Sequence, residues 1–191
     1  MASPTPPSAR TRLVIAASDL FYQRGIPNVG VYDVTDRAGV ARQSLYNNFD
    51  SKNALVLAVL QERAESRRDW LATSTRRADE PASQLLAVFD LLGEWLAAPD
   101  FRGCAFINAT VELAGTDKRV TEVVRDHKNA MRAFLEELAR SAGLAHPADL
   151  SGQLMLLIDG ATVTALVQGE PSAAEAAKEA AAVLIDAARV V

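Results

Sequence analysis

Val34-Thr35-Asp36-Arg37-Ala38-Gly39-Val40-Ala41-Arg42-Gln43-Ser44-Leu45-Tyr46-Asn47-Asn48-Phe49 reads as two short helices broken by a glycine. Val34 and Ala38 fall on one face of the first, Val40 follows the turn, and Leu45 and Phe49 lie four apart on the inner face of the second. Arg42, Gln43, Ser44, Tyr46, Asn47 and Asn48 are left for the outer surface or edges. This is the outline of a helix-turn-helix, whose second helix enters a major groove while the first braces it. The residue types suit that task. Arginine can give two hydrogen bonds to guanine, and Gln or Asn can pair with an adenine edge. Ser, Tyr and Lys commonly hold phosphate oxygens.

Charge, taken in bulk, points the other way. The 191 residues carry a net charge of −4, which makes nucleic acid a poor first guess. The average hides an asymmetry. Residues 1–52 hold six Lys/Arg against four Asp, a net of +2, so the remaining 139 residues carry −6. No acidic residue occurs between Asp36 and Asp50, a gap that spans the whole proposed recognition helix.

Outward from this segment the chain repeats apolar residues at three and four, with no sustained alternation at two, so the fold class is all-α. Leu13, Ala16, Ala17, Leu20 and Phe21 form the stripe of a first helix that Gly25 stops. Ser51 can cap a fourth, long helix with Leu55, Val59 and Leu60, fading into the charged run 61–69. After a polar stretch over 73–81 come a helix through Leu85 and Leu92, a shorter one over 101–114, and a long amphipathic one from Val120 to Leu138. Gly143 ends the last of these with Pro147 beyond, and two apolar helices follow over 150–167 and 173–191. With the two short helices the count is nine.

Leu20-Phe21-Tyr22-Gln23-Arg24-Gly25, the Ala38-Gly39-Val40 turn, Leu45-Tyr46 with Phe49, and Ser51-Lys52 with Leu55 together resemble the DNA-binding domain of TetR/AcrR-family transcriptional regulators, over about residues 10–56. The resemblance implies a nine-helix homodimeric repressor that binds a palindromic operator and leaves it when a small molecule occupies the C-terminal domain. Carried over by motif position, it implies that Arg42, Gln43 and Asn47 face bases or nearby backbone, and that Ser44, Tyr46 and Lys52 hold phosphates. Two residues depart from the family pattern. Ala41 stands where a Ser or Thr helix cap is frequent, and Asp50 stands where Pro is common. The implied domains are an N-terminal arm over 1–9 with three prolines, a helix-turn-helix domain over 10–54, and a helical effector-binding and dimerisation domain over 55–191.

In the C-terminal part the resemblance fades and polar residues inside apolar stripes become the guide. His127 sits between Val123/Val124 and Met131, either as a hydrogen-bonded core histidine or as a pocket residue. Asn108 and Glu112 lie one turn apart with Cys104 a turn earlier, lining a cavity or forming the wetter side of their helix. Asp159 and Thr162 share a face with Met155, and a buried carboxylate there must be paired, protonated or wet. Phe89, Trp95, Phe101, Phe106, Met131, Phe134 and Met155 suit either a plain core or a pocket for an apolar or aromatic effector. The expected effector pocket therefore comprises Phe89, Trp95, Phe106, Asn108, Glu112, His127, Met131, Met155, Asp159 and Thr162. The last two helices are apolar on several faces and rich in alanine, and a second copy of the chain is the simplest cover.

No glycine-rich phosphate loop, nucleophile elbow or metal-ligand cluster is present in the sequence, so neither an enzyme nor a cofactor is expected. A Cys104/His127 nucleophile pair is the weak enzymatic alternative, and a ligand-independent DNA-binding scaffold is the other. The single Cys104 cannot form an internal disulfide and reads as a small buried thiol in a reducing cytoplasm. The N-terminal residues lack the apolar core of a signal peptide, and the longest apolar run, 154–167, is shorter than a spanning helix, so no membrane partner is expected.

Overall fold

The computed structural model describes residues 7–113 and 117–189. Most of the expected N-terminal arm, residues 1–6, lies outside them, as do 114 and 190–191 at the ends of two expected helices. Among the described residues there are nine helices: α1 (Ala9–Arg24), α2 (Val31–Ala38), α3 (Arg42–Asn48), α4 (Lys52–Thr75), α5 (Pro81–Leu96), α6 (Ala105–Glu112), α7 (Lys118–Ser141), α8 (Pro147–Gln168) and α9 (Ala173–Ala187). The all-α expectation holds, and one isolated antiparallel bridge, Leu144 to Arg189, is the β-type pairing among them.

Two helix starts fall earlier than the apolar pattern places them. Pro81 and Pro147 each occupy the first turn of their helix, α5 and α8, rather than the linker before it. Proline has the backbone torsion of a first turn already set and lacks only an N–H that would go unbonded there. Gly143, at φ +68°, ends α7 as expected, with the Leu144 N–H reaching back to the Ala139 carbonyl at 3.1 Å.

The early start lengthens α8 to 22 residues, and its most apolar window has a mean hydropathy of 1.5. By length and composition α8 is therefore long and apolar enough to cross a membrane, a correction to the shorter run read from the sequence. Only a third of that window is buried within the chain.

Packing divides the chain into two compact units. The first takes the residues up to Arg63 together with Ala105–Val124, and the second takes Ala64–Cys104 with Arg125–Val191. In the first, Leu13, Ala17 and Phe21 of α1, Val34 and Ala38 of α2, Leu45 of α3, and Leu55 and Val56 of α4 are all buried. These are the apolar positions of the quoted segment and its neighbours, so the periodicity locates this core directly. In the second, Leu85, Phe89 and Leu92 of α5, Leu135 of α7, Leu150 and Leu154 of α8 and Ile185 of α9 share one core.

The alanines of α9 are split by that packing. Ala174, Ala177 and Ala181 are buried inside the chain's own core, and a Cβ on Gly93 of α5 would touch the Ala174 methyl at 3.5 Å. Their small size is used for a close internal contact with α5. Other residues of α8 and α9 form the outward face described below.

Candidate nucleic-acid interface

The helix-turn-helix is built by local rules. Ser8 caps α1, its Oγ accepting from the Thr11 N–H at 3.1 Å. The Asp33 carboxylate reaches back to accept the Gly30 N–H at 2.7 Å and so starts α2. That bond, followed by the Arg24 guanidinium at 3.2 Å, holds the Asp33 carboxyl below its usual range. Gly39 ends α2 in the left-handed region at φ +62°, a conformation that disfavours residues with a Cβ. Arg12 of α1 then donates to the Gly39 carbonyl at 3.2 Å and to the Ala38 carbonyl at 3.4 Å, clamping the turn. In the sequence Arg12 stands out only as a charge, because nothing local marks a partner 26 residues away.

α3 presents the face the sequence predicts. Leu45 and Phe49 are buried, Ser44 is half-buried, and Arg42, Gln43, Tyr46, Asn47 and Asn48 are exposed. The exposed side chains are paired along the helix. Arg42 Nη2 donates to the Tyr46 hydroxyl at 3.4 Å, and Gln43 Nε2 donates to Asn47 Oδ1 at 3.0 Å. Arg42 lies 5.7 Å from the Tyr46 ring centroid, and its pKa is raised by that hydroxyl contact. Asn48 Nδ2 bonds the Ser44 carbonyl at 2.7 Å. These pairs preorganise a polar row whose donors and acceptors can be exchanged for base edges. Ala41 occupies the N-cap with no side-chain bond, as its methyl requires.

Lys52 is placed differently from the phosphate contact that motif position implies. Its ammonium donates inward to the Ile26 carbonyl at 2.5 Å, and it is half-buried. Burial pushes its pKa down, against the attraction of Asp33 and Glu112.

A cavity of about 30 Å3, room for roughly one water, lies within the first unit between α1, α4 and α6. Phe21, Tyr22, Val59, Arg63, Asn108 and Glu112 are among the residues that line it. It brings together Asn108 and Glu112, two of the ten expected pocket residues. Glu112 Oε2 also accepts the Ile26 N–H at 2.6 Å. Phe106 is buried on the same helix.

The other seven expected pocket residues belong to the second unit. Phe89 and Thr162 are buried, and Thr162 Oγ1 donates to the Ile158 carbonyl within its own helix at 2.7 Å. Trp95 meets Phe101 edge to face at 5.2 Å, and the Arg67 guanidinium lies 4.4 Å from the Trp95 ring and 5.0 Å from Trp70. Met131 and Met155 pack half-buried against the core. Asp159, which needed a partner, forms an ion pair with Lys128. His127 is buried, and burial, followed by the nearby positive charges of Lys128, Arg67 and Arg68, pushes its pKa down to about 4. Cys104 is half-buried.

Residues 13–59 match the family model described as bacterial regulatory proteins, tetR family, and residues 81–181 match that of the tetracyclin repressor-like C-terminal domain. A TetR-family regulator from Streptomyces coelicolor superimposes with a TM-score of 0.87 at 28% identity, covering 94% of this chain and 95% of that one. A tetR-type regulator from Streptomyces avermitilis does so with a TM-score of 0.82 at 31% identity, over 95% and 98%. The transcriptional repressor DhaR of a Mycobacterium species is 32% identical over 127 residues, 65% of this chain and 63% of its own. The transcriptional activator FasR of Mycolicibacterium smegmatis is 38% identical over 87 residues, so the chain spans 40% of that relative's length. The helix-turn-helix, the nine-helix fold and both matched family models agree: the chain belongs to the TetR family of DNA-binding transcriptional regulators, which are not enzymes.

Proposed function

We propose that the protein is a homodimeric repressor that reads a palindromic operator and is released from it by an apolar or aromatic small molecule. The observation that carries this reading is the outward row of α3. Arg42, Gln43 and Asn47 are exposed together on the helix that follows the Gly39 turn, with Ser44 and Tyr46 beside them. In this reading the first three face bases and the last two face phosphates.

Dimerisation is supported by the face of α8. Gln153, Leu156, Gly160, Val163 and Val167 are all exposed and follow one another at intervals of three, four, three and four. That spacing draws a seam along a helix, as in coiled coils. Leu156 is 75% exposed, Val167 76% and, on α9, Val183 69%. A helix this apolar covers such a seam with another apolar surface, and a second copy offers one by two-fold symmetry. This occupant also accounts for the membrane-like hydropathy of α8 without a bilayer, which supports reading the protein as a cytoplasmic regulator.

Effector release is supported by the make-up of the second unit, where Trp95, Met131 and Met155 surround the core half-buried and His127 supplies a neutral polar group. A ligand that favours one arrangement of the α4 helix would change the spacing of two recognition helices, and a dimer reads two half-sites only at one spacing. The relatives include both a repressor and an activator by name, so the sign of regulation is the second reading to be tested.

The experiment is selection of bound duplexes from a random pool by the purified protein, repeated with cell extract. Paired, inverted half-sites and loss of binding on adding a small-molecule fraction are expected. Selected sites without two-fold symmetry would refute the dimeric reader. Indifference of operator affinity to every ligand that measurably binds would refute release. A reporter driven from the selected site decides between repression and activation.

A further inference from the structure

Both backbone polar atoms of one buried residue in the first unit are held by charged side chains from two different helices. Ile26 lies in the connection between α1 and α2, with its side chain buried. Its N–H donates to Glu112 Oε2 at 2.6 Å, and its carbonyl accepts from Lys52 Nζ at 2.5 Å. Glu112 is the last residue of α6 and Lys52 the first of α4. Gly25, just before, adopts φ +80°, and a Cβ there would lie 3.3 Å from Glu112 Oε1. The glycine thus makes the turn and leaves room for the carboxylate.

Ionised partners make such hydrogen bonds short and strong, and a part-buried peptide group that loses one gives up a charged partner that a single water replaces only weakly. The connection so fixed leads within a few residues to Gly30 and the start of α2, the helix that braces α3. We propose that Glu112 and Lys52 are positioning residues for DNA binding, clamping Ile26 so that the α1–α2 connection sets the angle at which the helix-turn-helix meets the groove. Lys52 then acts on the protein's own backbone and not on a phosphate. Because Glu112 ends α6, any displacement of that helix end opens one jaw of the clamp. The proposal rests on the DNA-binding reading of α3 and on neither the dimer nor the effector.

Salt dependence separates the two roles of Lys52. Removing a phosphate contact lowers the slope of log affinity against log salt by about 0.9, whereas removing an internal clamp leaves the slope in place. Full-length wild type, Lys52→Met, Glu112→Ala and Glu112→Gln are titrated with a duplex the wild type has selected and with a random duplex of equal length, over a range of salt. We expect Lys52→Met and Glu112→Ala each to weaken the selected duplex about tenfold with an unchanged slope, Glu112→Gln to retain most of the affinity, and the double variant to lose less than the product. The Ile26 amide proton is expected downfield in the wild type, beside the carboxylate, and should move upfield in Glu112→Ala and stay in Lys52→Met. That signal, read in Glu112→Gln if Glu112→Ala fails to fold, should move part of the way.

A slope that falls by about 0.9 in Lys52→Met, wild-type DNA affinity in Glu112→Ala, or an Ile26 amide indifferent to residue 112 overturns the proposal. Arg42→Ala is measured alongside. If it leaves selected-duplex affinity unchanged, the reading of α3 fails, whatever the clamp variants do.

Discussion

α3 and α8 expose opposite chemistries. On α3 the apolar Leu45 points in, and the polar row Arg42, Gln43, Tyr46 and Asn47 points out. On α8 Leu156, Val163 and Val167 point out, while the second unit keeps His127 buried and covers Asp159 with Lys128. A surface of paired amides and a guanidinium is suited to a wet, charged partner whose hydrogen bonds can replace its own. An exposed row of Leu and Val gains only by excluding water, and so calls for a dry partner. The contrast underlies the proposed division of partners, DNA for one face and a second copy for the other.

Breaking the dry face gives the largest effect. Leu156→Glu with Val163→Glu places like charges along the seam, and sedimentation should find a monomer. Linking two half-site contacts raises affinity by about 100-fold or more, so selected-duplex binding should fall by that factor while random-duplex binding changes far less. A double variant that remains dimeric would dissolve the contrast, because α8 would then be an apolar helix with some other cover.

How far this contrast could be read from the sequence depended on the range of the contacts involved. The α2–α3 pair was legible because a glycine in the left-handed region and apolar residues four apart are signals carried within 16 residues, and the burial of Leu45 and Phe49 follows from them. The direction of Lys52 was not legible. At the start of a helix an ammonium on a flexible stem can turn either way, and its choice rests on Ile26, 26 residues distant, and on Glu112. Motif position alone sends it to a phosphate. Similarly, composition marks α9 as alanine-rich but does not say that Ala174, Ala177 and Ala181 are consumed by the chain's own core. Asp159 was legible as a carboxylate needing a partner, and only the fold supplies Lys128, 31 residues away.

The buried histidine sharpens the same contrast through pH. His127 has its pKa pushed down from 6.5 to about 4, so the folded protein keeps it neutral where the unfolded chain protonates it. Above pH 6.5 both states are neutral and the residue adds no pH dependence. As pH falls from 6.5 towards 4 the unfolded state binds the extra proton, and stability drops by up to about 2 kcal/mol after solvent screening. Urea unfolding at pH 7 and pH 4.5 should therefore show a steeper loss in the wild type than in His127→Gln. Equal losses would place the imidazole in water and remove the second unit's claim to a buried polar interior.

The smallest effect tests whether the wet face is limited by its own helix start. Ala41 holds the N-cap of α3 in an extended conformation, φ −65° and ψ 147°, with its carbonyl already accepting the Ser44 N–H at 2.8 Å. The geometry suits a capping hydroxyl, and the methyl cannot provide one. Ala41→Ser adds an Oγ within reach of the first-turn N–H groups and should stabilise the protein by about 1 kcal/mol, raising the melting temperature by roughly 2–4 °C. Since the row Arg42, Gln43, Tyr46 and Asn47 is untouched, the sequences selected from a random pool should be those the wild type selects. A change of selected sequence with no gain in melting temperature would mean that residue 41 itself meets the DNA, and that the reading surface of α3 begins one residue earlier than its exposed polar row.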